Sequence, residues 1–158
     1  MAVAGSIGYN ITTLATDLQT WSTSSYEGEV LDNEISATTI AFGQLCYRNL
    51  NGKWALADAT VSGYSSINLL GICLLAANTD AATKILLNGF VATTYVTNSE
   101  VGEAQFMSAT AGSMDNTAPA SSGNIVRIVG HTFWTTALQT NAKYILRFNP
   151  DNTWIELT

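Results

Sequence analysis

The stretch GQLCYRNLNGKWALA, Gly43 to Ala57, carries the clearest folding signal in the chain. Asn51-Gly52 readily takes the positive φ values of a two-residue type I′ turn, so Gly43 to Leu50 and Lys53 to Ala57 are expected to be the two arms of a β-hairpin. Outward from this hairpin the chain continues as short apolar runs divided by turn residues. Ile67 to Ala76 is almost continuously apolar, bounded by Gly63-Tyr64-Ser65-Ser66 and Asn78-Thr79-Asp80, the pattern of a strand covered on both faces. Ile85 to Val96 carries Asn88-Gly89 in mid-run and reads either as a second hairpin or as one strand with a glycine bulge.

Gln105 to Ala109, Ile125 to Val129 and Phe133 to Thr136 are further strand candidates, with Ala111 to Gly123 as a loop. Tyr144 to Phe148, the turn Asn149-Pro150-Asp151-Asn152 and Thr153 to Leu157 read as a closing hairpin, because proline fixes the φ wanted at the second turn position. The sum is about nine or ten short strands at intervals of roughly 8–12 residues, with no βαβ alternation. The expected fold is all-β, an antiparallel sandwich or barrel over residues 34–158, preceded by an N-terminal arm over residues 1–33.

Composition agrees with strand. Of the 158 residues, 47% are apolar and only 11% charged, against roughly 25% charged in an ordinary soluble domain. Thr, Ser and Asn supply a neutral polar surface, and β-branched and hydroxylic residues suit pleated strands and turns better than helix interiors. The net charge is -6 and the six basic residues are scattered. Nucleic-acid binding draws on clustered positive charge, so DNA and RNA are not expected partners. The longest apolar run falls well short of the roughly 20 residues that cross a bilayer, and the first eight residues have no signal-type character. No membrane span is expected, folding is expected in a cytoplasm, and Cys46 and Cys73 are expected to be reduced.

The arm is a compositional outlier. Ile11, Leu14, Leu18 and Trp21 fall at spacings of three, four and three, the seam of a short helix or coiled coil, although its threonine-rich setting suits an extended arm on a partner equally well. Those four residues are the candidates for oligomer contact or attachment. Glu27, Glu29, Asp32 and Glu34 could supply oxygen ligands to calcium, but their spacing is not that of an EF-hand loop, and a solvated linker between arm and body is the favoured reading.

Signals for catalysis are sparse. His131 is the chain's one histidine, and no motif sets a nucleophile or carboxylate beside it. Cys46 and Cys73 do not form a CxxC pair, which with one histidine argues against zinc and for core packing. GxSxG, GxxxxGK and HExxH motifs do not occur. We therefore expect a non-enzyme with no catalytic residues, no metal and no cofactor. Among the four tryptophans, Trp54 and Trp154 each closely follow a turn and are expected to be partly exposed, where a ring can stack on a sugar or anchor a protein contact.

The segments GQLCYRNLNGKWALADA (Gly43 to Ala59), LLGICLLA (Leu69 to Ala76), ILLNGFVAT (Ile85 to Thr93), VGEAQFMSATAGSMDNTAP (Val101 to Pro119), IVRIVGH (Ile125 to His131) and YILRFNPDNTWIEL (Tyr144 to Leu157) follow one another in a characteristic order. In that order the chain resembles the small β-rich virion proteins of tailed bacteriophages: capsid decoration proteins, head fibres and tail-fibre modules. The resemblance implies a structural virion protein that binds the assembled shell through its major capsid protein or another virion protein. The alternative is a tail-fibre module that binds a receptor or a host surface glycan. It carries over no active-site residues. A threefold oligomer is the state it implies, and the low charge and unprotected strand edges independently argue for association of some order.

Overall fold

The computed structural model describes residue 21 and residues 24–60, 64–97, 99–135 and 144–158. It is all-β, as expected: ten strands lie in one curled, mostly antiparallel sheet and two more form a separate ribbon. In chain order the strands are β1 (Tyr26–Ile35), β2 (Leu45–Arg48), β3 (Trp54–Leu56), β4 (Leu70–Cys73), β5 (Ala82–Thr93), β6 (Val96–Thr97), β7 (Ala104–Met107), β8 (Met114–Asp115), β9 (Ile125–Val126), β10 (Ile128–Thr135), β11 (Tyr144–Phe148) and β12 (Ile155–Glu156). One short helix, α1 (Tyr64–Ile67), precedes β4.

β5 organises the sheet. It has β1 along one edge, while its other edge is shared by β4 and β11: Leu86 pairs with both Val30 and Ile72, and Val91 with both Tyr26 and Leu146. From β4 the sheet runs through β2 to β3, and from β11 through β10, β7 and β8 to β6. Beyond β1, Ser36 bridges Trp54 in parallel and the Ala37 amide donates to the Trp54 carbonyl, so the first half of the sheet curls until β1 meets β3. The boundary drawn between arm and body at residue 33 thus falls inside a strand of the body. The acidic stretch from Glu27 to Glu34 is strand rather than linker, with Asp32 against Lys84 at 2.9 Å and Glu34 against Arg48 at 3.5 Å.

Alternation along the strands feeds two main cores and a small third cluster of Phe90, Ala92 and Ile145. Leu45, Leu70, Ile72, Leu86, Val91, Met107, Val129, Leu146 and Phe148 meet in the larger one, between the two halves of the sheet. Cys46, Trp54, Cys73, Ile85 and Ile40 fill the smaller one inside the curled first half. Burying each such large apolar side chain contributes about 1.5–3 kcal/mol. Ile67 to Ala76 gives β4 with both faces buried, as its unbroken apolar text implies.

Asn88-Gly89 resolves to the second of its two readings. Glu29 pairs with Asn88 and Val30 with Leu86, leaving Leu87 as the extra residue of a bulge in one continuous strand. Gly28 and Gly89 face each other there at φ 149° and 142°.

Four local expectations are corrected. Asn51-Gly52 does not form a two-residue type I′ turn. Only Gly52 has positive φ, 74°, and its amide donates to the Asn49 carbonyl at 2.9 Å while the Asn49 amide donates to Lys53. The loop has three residues, a type I turn closed by a glycine bulge, which needs one left-handed residue instead of two. Ile125 to Val129 is split at Arg127 into β9 and the start of β10, and the rest of β10 takes in Phe133. Met114–Asp115, inside the expected loop, pairs with β6 and β7. The closing hairpin does not form: β12 pairs with β9. Both edges of β11 are already occupied by β5 and β10, so no ladder position remains for the strand that follows it.

Both cysteines are buried and free. Burial pushes their thiols up, and for Cys46 the neighbouring Cys73 adds to the rise. An acid whose folded-state value lies above its unfolded value contributes stability below the ordinary thiol range, and that contribution drains away as pH rises through the folded value. A thiol-reactive disulfide reagent at about pH 8 is expected to titrate neither cysteine in the native protein and both in denaturant, because the thiolate is the attacking species. Rapid native labelling would contradict the packing described.

Candidate functional site

Arg127 builds the site. It interrupts the apolar run Ile125 to Val129 and is only 5% exposed. Its Nε donates to the Asp151 carbonyl at 2.8 Å, and its Nη1 donates to the carbonyls of Asn68 at 2.8 Å and Ser66 at 3.1 Å. Burial pulls its pKa below the usual guanidinium value, with the Asp151 charge opposing that fall. One buried side chain thereby ties the segment after β11 to the segment before β4, across 24 to 61 positions of sequence.

That tether positions the tail of the chain. The Asp151 amide donates to Ile128 at 2.9 Å and Asn149 to Val129 at 3.0 Å, so the turn after β11 lies along the start of β10. Trp154 is then held with its ring 6.0 Å from the Arg127 guanidinium carbon, within cation–π range. Trp154 remains 43% exposed. Together with Phe106, Val126, Ile128 and Ile155 it lines a cleft of about 160 Å³ whose polar members are Asp151 and Thr153. Ile155 is 66% exposed, and Leu69, beside the Arg127-bound Asn68, is 51% exposed.

The expected site residues divide. Ile11, Leu14 and Leu18 lie outside the described residues. Trp21 packs, as Phe133 does, on the cluster of Phe90, Ala92 and Ile145 of the sheet, and the Ala92 amide donates to Ser25 at 2.9 Å. Trp54, expected to be partly exposed, is completely buried. Residues 36 and 37 pair along its outer edge, Glu34 Oε2 accepts from its indole Nε1 at 2.7 Å, and Arg48 lies 5.9 Å from its ring. Gly71 makes room for it, since a Cβ there would stand 3.0 Å from Trp54 Cζ3. His131 is exposed on β10 opposite Arg147.

Sequence reasoning found Trp154 and missed Arg127, Phe106, Asp151 and Thr153 as its companions. Arg127 did leave a signal, a lone cation within IVRIV, since a charge amid β-branched residues must bend out of the strand or be satisfied inside. A second depression, lined by Glu27, Gly28, Glu29, Asn88, Gly89 and Arg147, opens where the two glycines carry no side chains.

The Trp154 cleft thus combines one braced aromatic ring with apolar walls and two exposed polar side chains. Compared with known protein families, curated proteins and solved structures, the chain shows no match. Among the described residues no helix is long and apolar enough to cross a membrane.

Replacing Arg127 with Met keeps most of its length but removes the three carbonyl contacts. The expected loss is about 2–4 kcal/mol, since buried acceptors left unpaired each carry a desolvation penalty. Urea unfolding checks the magnitude, and a red shift of Trp154 emission in the native state would report release of the ring.

Proposed function

We propose that this chain is a non-enzymatic structural protein of a tailed-phage virion, a capsid decoration or head-fibre protein that binds the assembled shell. One observation carries the reading. The six segments on which the resemblance rests all send residues into the same core: Leu45 and Ala57, Leu70 and Ile72, Leu86 and Val91, Met107 and Met114, Ile125 and Val129, Leu146 and Phe148. Those segments therefore belong to one packed body. A body that binds only the assembled lattice stabilises that lattice by mass action.

Shell attachment or threefold assembly is assigned to the N-terminal segment. Trp21 packs on the body and Ser25 accepts from the Ala92 amide, which supports drawing the end of this segment before Trp21 rather than at residue 33. Deleting residues 2–20 is expected to leave the body folded and to abolish co-sedimentation with particles that lack the protein. Decoration by the truncated chain as complete as by the full one would overturn this assignment.

The Trp154 cleft favours a second reading, a receptor-binding or carbohydrate-binding module of a tail fibre. Sugar recognition calls for an outward aromatic ring with carboxylate or amide groups on one loop, and Trp154, Asp151, Asn152 and Thr153 occupy such a loop.

A further inference from the structure

We infer that the Trp154 cleft is a saccharide subsite, in which the apolar face of a neutral pyranose stacks on the indole and its hydroxyls bond to Asp151 and Thr153. The inference deepens the receptor-binding reading and rests on the geometry of the cleft rather than on attachment to a shell. Four features support it. The ring is held in place before any ligand arrives, because the guanidinium 6.0 Å behind it is itself fixed by three carbonyls; a preorganised group loses little freedom on binding. Trp154 is 43% exposed, and an exposed indole suits ligands with one apolar face and polar edges.

Third, the rim is chemically matched to hydroxyls. Asp151 and Thr153 are exposed, and the Asp151 backbone is anchored by its bonds to Ile128 and Arg127. A carboxylate accepts two hydroxyl donors at once, and a threonine hydroxyl both donates and accepts. Fourth, Phe106, Val126, Ile128 and Ile155 give the cleft an apolar lining, while its polar members Asp151 and Thr153 both come from the segment between β11 and β12. An apolar side chain from a protein partner would use the apolar lining alone and leave the exposed Asp151 and Thr153 unused. A sugar uses both.

The test is a glycan array probed with the full chain. The array carries neutral and N-acetylated hexose oligosaccharides of bacterial surface type, and hits are titrated by calorimetry. Binding of at least one neutral oligosaccharide is expected, with Trp154→Ala and Asp151→Asn each weakening it by about tenfold or more and Trp154→Phe retaining part of it. Thermal melts of each variant identify any that fail to fold, and Asp151→Asn, at an exposed position, keeps the test decisive if Trp154→Ala unfolds. No binding to any neutral glycan at millimolar concentration, or equal binding by the wild type and both variants, overturns the subsite. So does an empty array accompanied by protection of residues 151–156 from hydrogen exchange on the particle, which would assign the cleft to a protein. Presence of the chain in purified virions, measured separately, bears on the virion reading and leaves the subsite untouched.

Discussion

Gly89→Ala is expected to destabilise the protein by about 3–5 kcal/mol, near the upper end for a single substitution. A Cβ at position 89 would stand 2.1 Å from the Glu27 carbonyl oxygen and 2.7 Å from the Gly28 Cα. Those are backbone atoms of the paired strand, so no rotamer change relieves the contact. The φ of 142° adds backbone strain of about 1–3 kcal/mol for any residue with a side chain. Relief requires β1 to move away from β5, and β1 is both the ladder along one edge of β5 and the segment whose continuation closes onto β3. Gly28→Ala creates the reciprocal clash, with Asn88 O at 2.1 Å, and is expected to behave alike. The double variant is then expected to cost less than the sum of the two, because both disrupt one contact. Denaturant midpoints at equal m-values check all three; a change below about 1 kcal/mol would show that the strands do not approach as described.

Trp54→Ala is expected to lose a similar amount, about 3–5 kcal/mol, through a different mechanism. The indole is the largest side chain of the smaller core and has no solvent exposure. Its removal leaves a cavity that Cys46, Cys73 and Ile85 cannot collapse to fill, since each is fixed on a separate strand of the curled sheet. It also deprives Glu34 of its indole donor. Trp54→Phe keeps most of the apolar volume and isolates that last effect, for which about 1–3 kcal/mol is expected. Urea unfolding of the two variants separates packing from hydrogen bonding. The native emission spectrum should lose a blue-shifted component in both.

The all-β class was legible because alternation, turn residues and composition all point the same way, and β2, β3, β4 and β5 stand close to where Gly43 to Ala57, Ile67 to Ala76 and Ile85 to Val96 place them. What the sequence does not contain is which strand edges remain free. Thr153 to Leu157 has the text of a hairpin partner, yet β11 is saturated by β5 and β10, a non-local fact that no turn signal reports. Trp54 fails for a related reason. Its proximity to a turn argues for exposure, whereas the closure of Ser36 and Ala37 over it depends on how far the whole sheet curls. Arg127 shows the opposite case: the residue breaks a local rule visibly, but its three acceptors come from two remote segments and only the fold brings them together.

The candidate site follows the same division. An exposed Trp154 could be read from its position after Asn149-Pro150-Asp151-Asn152. Its bracing by Arg127 and its apolar floor at Phe106 could not, because both depend on β9 and β10 being split around a buried cation. Sites of this kind are written in the packing that positions a side chain, and single-sequence reasoning sees the side chain alone.

We propose that this chain is a component of a virion. Quantitative mass spectrometry of density-purified phage particles tests that proposal most directly. The account predicts the intact chain at many copies per particle, in a fixed ratio to the major capsid protein that is unchanged by further purification. Absence of the chain from purified particles, with all of it left in the soluble lysate, would contradict the account.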